Sequence, residues 1–362
     1  MVFVTILSVL KKILTGISIS IIAFFCVTAT ACSSDSSSYL LYGLKENSDE
    51  QKQLLELLAK NPKNQETRFA LMNRVANNLL TAQNNVSLVL FLTTSVENYP
   101  DNPYNAYWLL MTAHIYLQNN APKIAKYYFE RILKNCPDLE IQGRSLHLVC
   151  LENLIKITDS PELHIRYYTE LITRFPSNID AAQAYFMLAR AYEKLGEWDL
   201  AIQTYTQFLS YGRFDIQVPG IPNSYEYAKQ IVDYNSSSKD WTFETLDELV
   251  TSIKRAIDTY NYRALDSYRA KVNFFAMSWK QTASDKNSQV DFQMRDFMAG
   301  NRIRYSAALD SSSTPYEAYL RTWGWYQNVS VWYLYFRKVN FPADPEIHGR
   351  WEWAGIYYGD KV

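Results

Sequence analysis

Four prolines, Pro62, Pro100, Pro137 and Pro176, stand 38, 37 and 39 residues apart, and no other feature constrains the fold as tightly. Each closes an amphipathic stretch, in Asn61-Pro62, Tyr99-Pro100, Cys136-Pro137 and Phe175-Pro176. Proline lacks the amide donor and clashes with the preceding turn, so it stops a helix. Each interval has room for two helices and their turns. Such a pair cannot bury its apolar face alone, so the pairs must stack, which predicts a solenoid.

The clearest pair begins at Ala182. Tyr185, Leu188, Ala189 and Tyr192 mark its first helix, Gly196 the turn, and Ala201, Tyr205 and Phe208 its second. Small Ala189 and Ala201 sit where the helices must approach closely. A second unit runs through Ala106, Leu109, Ala113, Tyr116, Ala125, Phe129 and Ile132 to Pro137. The units ending at Pro100 and Pro176 follow by register, with Leu88 and His164 where Ala is expected. This pattern resembles the tetratricopeptide repeat (TPR) over roughly residues 50 to 212, with a longer period than usual. Phe175-Pro176-Ser177 before an Ala-rich helix is similar to periplasmic scaffold lipoproteins of outer-membrane protein assembly. The resemblance implies a concave groove that grips an envelope protein or peptide. Its lining would be Tyr107, Leu110, His114 and Leu117 in one unit, and Gln183, Phe186, Arg190 and Glu193 in the other. The competing reading is that these side chains pack between repeats.

At the N-terminus the apolar run Ile13 to Val27 leads into Ala29-Thr30-Ala31-Cys32, followed by Ser33-Ser34-Asp35-Ser36-Ser37-Ser38. That run is short for a membrane span, which needs about 20 residues, and small residues before a cleavage site point to processing. The order resembles a bacterial lipoprotein signal, with Ala29 at a position where that family usually has Leu. The resemblance implies a signal over 1–31, lipid on Cys32 and a flexible tether over 32–48. It further implies a periplasm-facing, membrane-anchored protein, and Ser33 points to the outer membrane. An ordinary secretory signal and an uncleaved helix are the alternatives. Lys11-Lys12 follow ten mostly apolar residues, so translation is expected to start at Leu10.

Net charge is −1, with no basic surplus to recruit nucleic acid. Cys136 and Cys150 form either a disulfide or two buried thiols. Composition shifts along the chain: seven of the nine tryptophans lie in the last third. The α-solenoid is expected over 49–214. A linker over 215–240 is marked by Pro219, Gly220, Pro222 and Ser236-Ser237-Ser238. An α+β domain is expected over 241–362. There Leu246, Leu249, Val250, Ile253, Ala256, Ile257 and Tyr260 share one helical face, and Thr245 and Glu248 have capping-box spacing. Strand-like runs follow at Val272–Trp279, Arg302–Leu309, Glu317–Trp325, Val329–Lys338 and Arg350–Tyr358, the fourth apolar on both faces and so central. The order is similar in topology to the SnoaL and nuclear-transport-factor-two-like cones, which implies a curved antiparallel sheet wrapped around a helix and a domain able to form homo-oligomers.

No strong catalytic constellation is present. The four histidines are dispersed, and neither a metal site nor a cofactor is expected. An acid–base pair inside the cone would draw on Asp258, Asp266 or Glu352 with His348; the alternative is that these charges face solvent or pair with arginines such as Arg350. The stripe Tyr319, Trp323, Trp325, Trp351 and Trp353 is either core or the lining of a pocket for an apolar ligand. The sequence therefore reads as a non-enzymatic, protein-binding scaffold. Its alternative is a small-ligand binder or enzyme working through the aromatic C-terminal domain.

Overall fold

The structure, a computed structural model, describes residues 38–44, 48–212, 218–281, 293–326 and 329–361. The signal, Cys32 and the first part of the tether lie outside the described residues. The chain divides into two compact units, one ending at Ile157 and the other starting at Thr158.

The first unit is helical: α1 Ser48–Lys60, α2 Gln65–Thr81, α3 Asn85–Asn98, α4 Asn105–Gln118, α5 Pro122–Asn135 and α6 Leu146–Ile157. Helices consecutive in sequence pack on one another from α1 to α6. The proline register holds to the residue. Helices α1, α3 and α5 end at Lys60, Asn98 and Asn135, each two positions before its proline. Helix starts are equally local: the Asn64 and Asn84 side chains accept the amides of Thr67 and Ser87, capping α2 and α3. A two-stranded hairpin, β1 Glu140–Ile141 and β2 Arg144–Ser145, is inserted between α5 and α6. It turns through Gln142 and Gly143, both with positive φ, and it lengthens that interval.

Of the tether expected over 32–48, residues 38–44 are described and are ordered against the helical unit. Residues 38–44 are pinned against the start of α3, with Leu40 and Leu44 buried. The Ser87 hydroxyl donates to the Tyr39 carbonyl at 2.9 Å, and the Asn84 amide to that of Tyr42 at 2.9 Å. Burial of two leucines and two hydrogen bonds outweigh the flexibility that a Ser-rich approach suggests.

The second unit begins with α7 Pro161–Arg174, which again ends two positions before its proline, Pro176. It continues with α8 Ala181–Lys194, α9 Trp198–Ser210, α10 Ser224–Ser236, α11 Leu246–Asp258 and α12 Tyr262–Tyr268. Then come β3 Phe275–Ser278, α13 Met294–Met298, β4 Arg304–Tyr305, β5 Glu317–Trp323, β6 Val331–Lys338 and β7 Trp351–Tyr358. The turn between α8 and α9 requires Gly196, whose φ is +75°. Ala189 and Ala201 are fully buried, as their small size demanded.

The linker expected over 215–240 is corrected: residues 224–236 form α10, which packs on α9. Its Ala228, Ile231 and Tyr234 enter one core with Phe186, Tyr205 and Phe208 of the α8–α9 pair. Val272, Val339, Phe341 and Ile347 of the sheet region join the same core. The last repeat and the sheet region thus share an interior, and no boundary falls at 214.

The sheet has the order β3-β7-β6-β5-β4. It is mixed where an antiparallel sheet was expected, because β3 runs parallel to β7. Strand β6 is central, as its two-sided apolarity predicts. A Cβ on Gly355 would lie 2.7 Å from the Phe275 ring, so the β3–β7 register depends on a glycine there. Helix α11 lays Leu249, Ile253 and Ile257 on the core that Leu320, Leu334 and Phe336 supply from the sheet. Its start is the expected capping box: the Thr245 hydroxyl accepts the Glu248 amide at 3.2 Å and the Glu248 carboxylate accepts the Thr245 amide at 3.3 Å. Tyr260, expected on the buried face, lies beyond the helix end and is exposed.

Candidate partner-binding faces

The two expected groove sets fall in different units. In the first, Tyr107, Leu110, His114 and Leu117 lie along one stripe of α4, next to the buried Trp108, Leu109, Ala113 and Ile115. Tyr107 packs against Phe69 of α2, ring centroids 5.4 Å apart, and its hydroxyl donates to Asn73 at 3.4 Å. Leu110 and Leu117 are half-buried, and His114 is exposed. The His114 ring meets Phe129 edge-on at 5.9 Å. Partial desolvation lowers its pKa from the ordinary imidazole value. This stripe is a mostly apolar face with one polar group.

The second set behaves differently. Phe186 is 1% exposed, wedged against Tyr205 and Phe208 at 5.6 and 5.1 Å, so it is core and not groove. Gln183 is half-buried in the first turn of α8. Arg190 donates to both Glu193 oxygens, at 3.1 and 3.2 Å. Glu193 also accepts the hydroxyls of Tyr205 at 2.7 Å and Tyr227 at 2.6 Å, and the Arg190 guanidinium lies 5.2 Å from the Tyr227 ring centre. Burial, and then the hydrogen bond to Glu193, push the Tyr227 hydroxyl up to about 12 and raise that of Tyr205 by the same causes. Tyr227 comes from α10, so a helix of the chain itself occupies the polar end of this face. Its helical signal was present in the spacing of Tyr227, Ala228, Ile231 and Tyr234, but flanking Pro, Gly and Ser residues obscured it.

The proposed acid–base set is not assembled. Glu352 is fully buried and bonded on both oxygens: Oε1 accepts from Arg337 Nε at 2.7 Å and the Tyr234 hydroxyl at 3.1 Å, and Oε2 from Trp241 Nε1 at 3.0 Å. His348 is exposed, and its Nδ1 accepts the Phe341 amide at 3.2 Å. Asp258 accepts the Tyr305 hydroxyl, and Asp266 the Met294 amide together with an ion pair from Arg269. A carboxylate so fully paired ties α10, the Trp241 segment, β6 and β7 together.

The aromatic-pocket residues are mostly interior. Trp325, Trp351 and Trp353 belong to the sheet–helix core, and Trp325 stacks on Trp332 at 4.8 Å; Trp323 is half-buried. Their rings fill space instead of lining it. The opposite sheet face carries a second aromatic cluster, to which Tyr319 of the expected stripe belongs; its other members were not named from the sequence. There Trp279 stacks on Tyr357 at 4.3 Å, Tyr319 meets Tyr335 at 5.2 Å, and the Lys361 ammonium lies 4.3 Å from the Tyr319 ring centre. Its only sequence signal was the alternation of Tyr319, Tyr333, Tyr335 and Tyr357 along three strands.

Cys136 and Cys150 are free thiols, correcting the disulfide alternative. Burial raises both pKa values, which lowers the thiolate fraction of each. Among the described residues no cluster of His, Cys, Asp or Glu is arranged to hold a metal ion, and no helix is long and apolar enough to cross a membrane.

No curated protein matches the sequence. The family model for the tetratricopeptide repeat matches residues 183–211, which are helices α8 and α9 with the Gly196 turn between them. The chain therefore carries a tetratricopeptide repeat, a module of protein–protein interaction scaffolds, among helix pairs set by the proline register.

Proposed function

We propose that this chain is a lipid-anchored TPR lipoprotein of the bacterial cell envelope. It faces the periplasm, on the outer rather than the inner membrane, and holds a partner protein or peptide for envelope assembly or transport. The α4 stripe carries this reading: His114 is exposed between half-buried Leu110 and Leu117 on the first helix of a pair. Such a surface suits an extended or helical peptide with apolar anchors. The order of Ala29-Thr30-Ala31-Cys32 and the Ser-rich stretch behind it support the anchor.

The test is co-purification from detergent-solubilised envelopes, using the full chain with and without Leu110→Asp and His114→Asp. The reading expects the partner to be lost in the variants at unchanged melting temperature. Retention of every partner would remove the α4 stripe as the working surface. Fractionation of Cys32→Ala addresses the anchor separately, and a variant that remains membrane-bound would reject it.

A further inference from the structure

The second helices of the pairs in the first unit carry an apolar face that their own fold leaves uncovered. Val86 on α3 is 82% exposed; Leu90 on α3 and Ile124 and Tyr127 on α5 are each about half exposed. Beside Val86 and Leu90 a cleft of about 420 Å³ is lined by Val86, Val89 and Leu90 of α3, by Tyr116 of α4 and by Tyr128 of α5. Tyr116 and Tyr128 stack in parallel at 5.6 Å in the wall of the cleft. Helix α5 also carries Lys123, exposed, and Lys126, half-buried. Apolar side chains mixed with tyrosine and lysine are the composition of a membrane–water interface, where rings sit at headgroup level and lysines reach outward.

The segment in front of α3 bears on the occupant. The Ser87 hydroxyl holds the Tyr39 carbonyl and the Asn84 amide that of Tyr42, at the start of α3, where Asn85 and Val86 line the cleft. Tyr42 in the same segment is 80% exposed. Only Ser33 to Ser37 separate this anchored turn from Cys32. Fully extended, that stretch spans about 20 Å. A lipid on Cys32 would therefore hold the apolar face within about one tether length of the bilayer. At that effective concentration even a weak surface contact is populated.

We propose that the face formed by Tyr42, Val86 and Leu90 docks on the headgroup region of the membrane to which Cys32 is attached. The contact fixes the orientation of the first unit, so that the lipid acts as one of two attachment points. The proposal rests on the lipid-anchor reading for its geometry, but the face itself is tested without the lipid.

The experiment uses the full chain in two forms, lipidated and Cys32→Ala, with vesicles of phosphatidylethanolamine and phosphatidylglycerol. Val86→Cys in a Cys136→Ser background is labelled with an environment-sensitive fluorophore, and Asp101→Cys on the same unit serves as the control. The expected result is a blue shift at position 86, quenched by nitroxide-bearing lipids, with no change at position 101. Cosedimentation of the Cys32→Ala form should fall about tenfold on Val86→Asp with Leu90→Asp, at unchanged melting temperature. No quenching at position 86 in lipidated protein would overturn the proposal, and would leave the anchor standing if that protein still pellets with vesicles. A label at position 86 that is shielded by a crosslinked protein, with nitroxide lipids having no effect, would also overturn it in favour of a protein partner. If the chain were not lipidated in cells, the anchor would fail while cosedimentation of the Cys32→Ala form still decided the face.

Discussion

The α4–α5 pair of the first unit and the α8–α9 pair of the second are built on the same pattern, and their first helices meet different fates. Both place a small residue and Tyr at matching positions, Ala113 and Tyr116 on α4 and Ala189 and Tyr192 on α8, and both bury Ala where the helices cross. On α4 the expected groove stripe keeps His114 exposed and two leucines half-buried. On α8 the corresponding stripe is used up: Phe186 is core, and Arg190 and Glu193 are paired with each other and with Tyr227 of α10. A repeat sequence specifies a helix pair, whereas the element that follows the pair decides which of its side chains stay available.

This contrast can be broken by substitution. Glu352→Ala should have the largest effect, because it leaves Arg337, Tyr234 and Trp241 without the carboxylate they share in the closed unit. Loss of one partner of a buried ion pair costs about 3–5 kcal/mol. A denaturant midpoint close to that of the wild type would mean that the buried cluster does not hold α10 to the sheet.

Ala201→Leu should come next. Overpacking the α8–α9 crossing costs about 1–3 kcal/mol, and an unchanged thermal melt would count against the close approach at Ala189. Tyr227→Phe removes one hydrogen bond to Glu193 and should cost about 1–2 kcal/mol, the range for a bond to a charged group. If α8 is covered as described, partner co-purification should be unaffected by this change. His114→Ala on the open stripe should move stability by no more than about 0.5 kcal/mol while weakening partner capture. A stability loss as large as that of Tyr227→Phe would erase the difference between the two pairs.

Alkaline titration sharpens the same comparison. The folded pKa of Tyr227 is raised to about 12 from the ordinary 10, by burial and then by Glu193. A raised pKa means that the folded state holds the proton more tightly. The corresponding stability is fully present below pH 10 and is lost as pH rises from 10 towards 12. Absorbance titration near 295 nm should show Tyr227 ionising later in native than in denatured protein, and Tyr227→Phe should remove one late-titrating group.

Much of the helical architecture was legible because its determinants are local. The prolines stop α1, α3, α5 and α7 at a fixed distance, Gly196 supplies a left-handed turn, and the Thr245–Glu248 box starts α11. The central position of β6 followed from apolarity on both faces. The parallel pairing of β3 with β7 was not legible, since no hairpin links the two strands and their pairing rests on Phe275 lying over Gly355. Helix α10 was missed because its flanks read as a loop, although Ala228, Ile231 and Tyr234 keep helical spacing.

The candidate site divides along the same line. That α4 and α8 would each present a stripe of side chains was set by residue spacing along single helices. Which stripe remained open was set by α10, by the Glu352 cluster and by the shared core of the last repeat and the sheet region. Helix starts, stops and faces are written in neighbouring residues, and the sequence alone determined them. Availability of a side chain depends on what packs over it from tens or hundreds of residues away, and only the tertiary structure decided that.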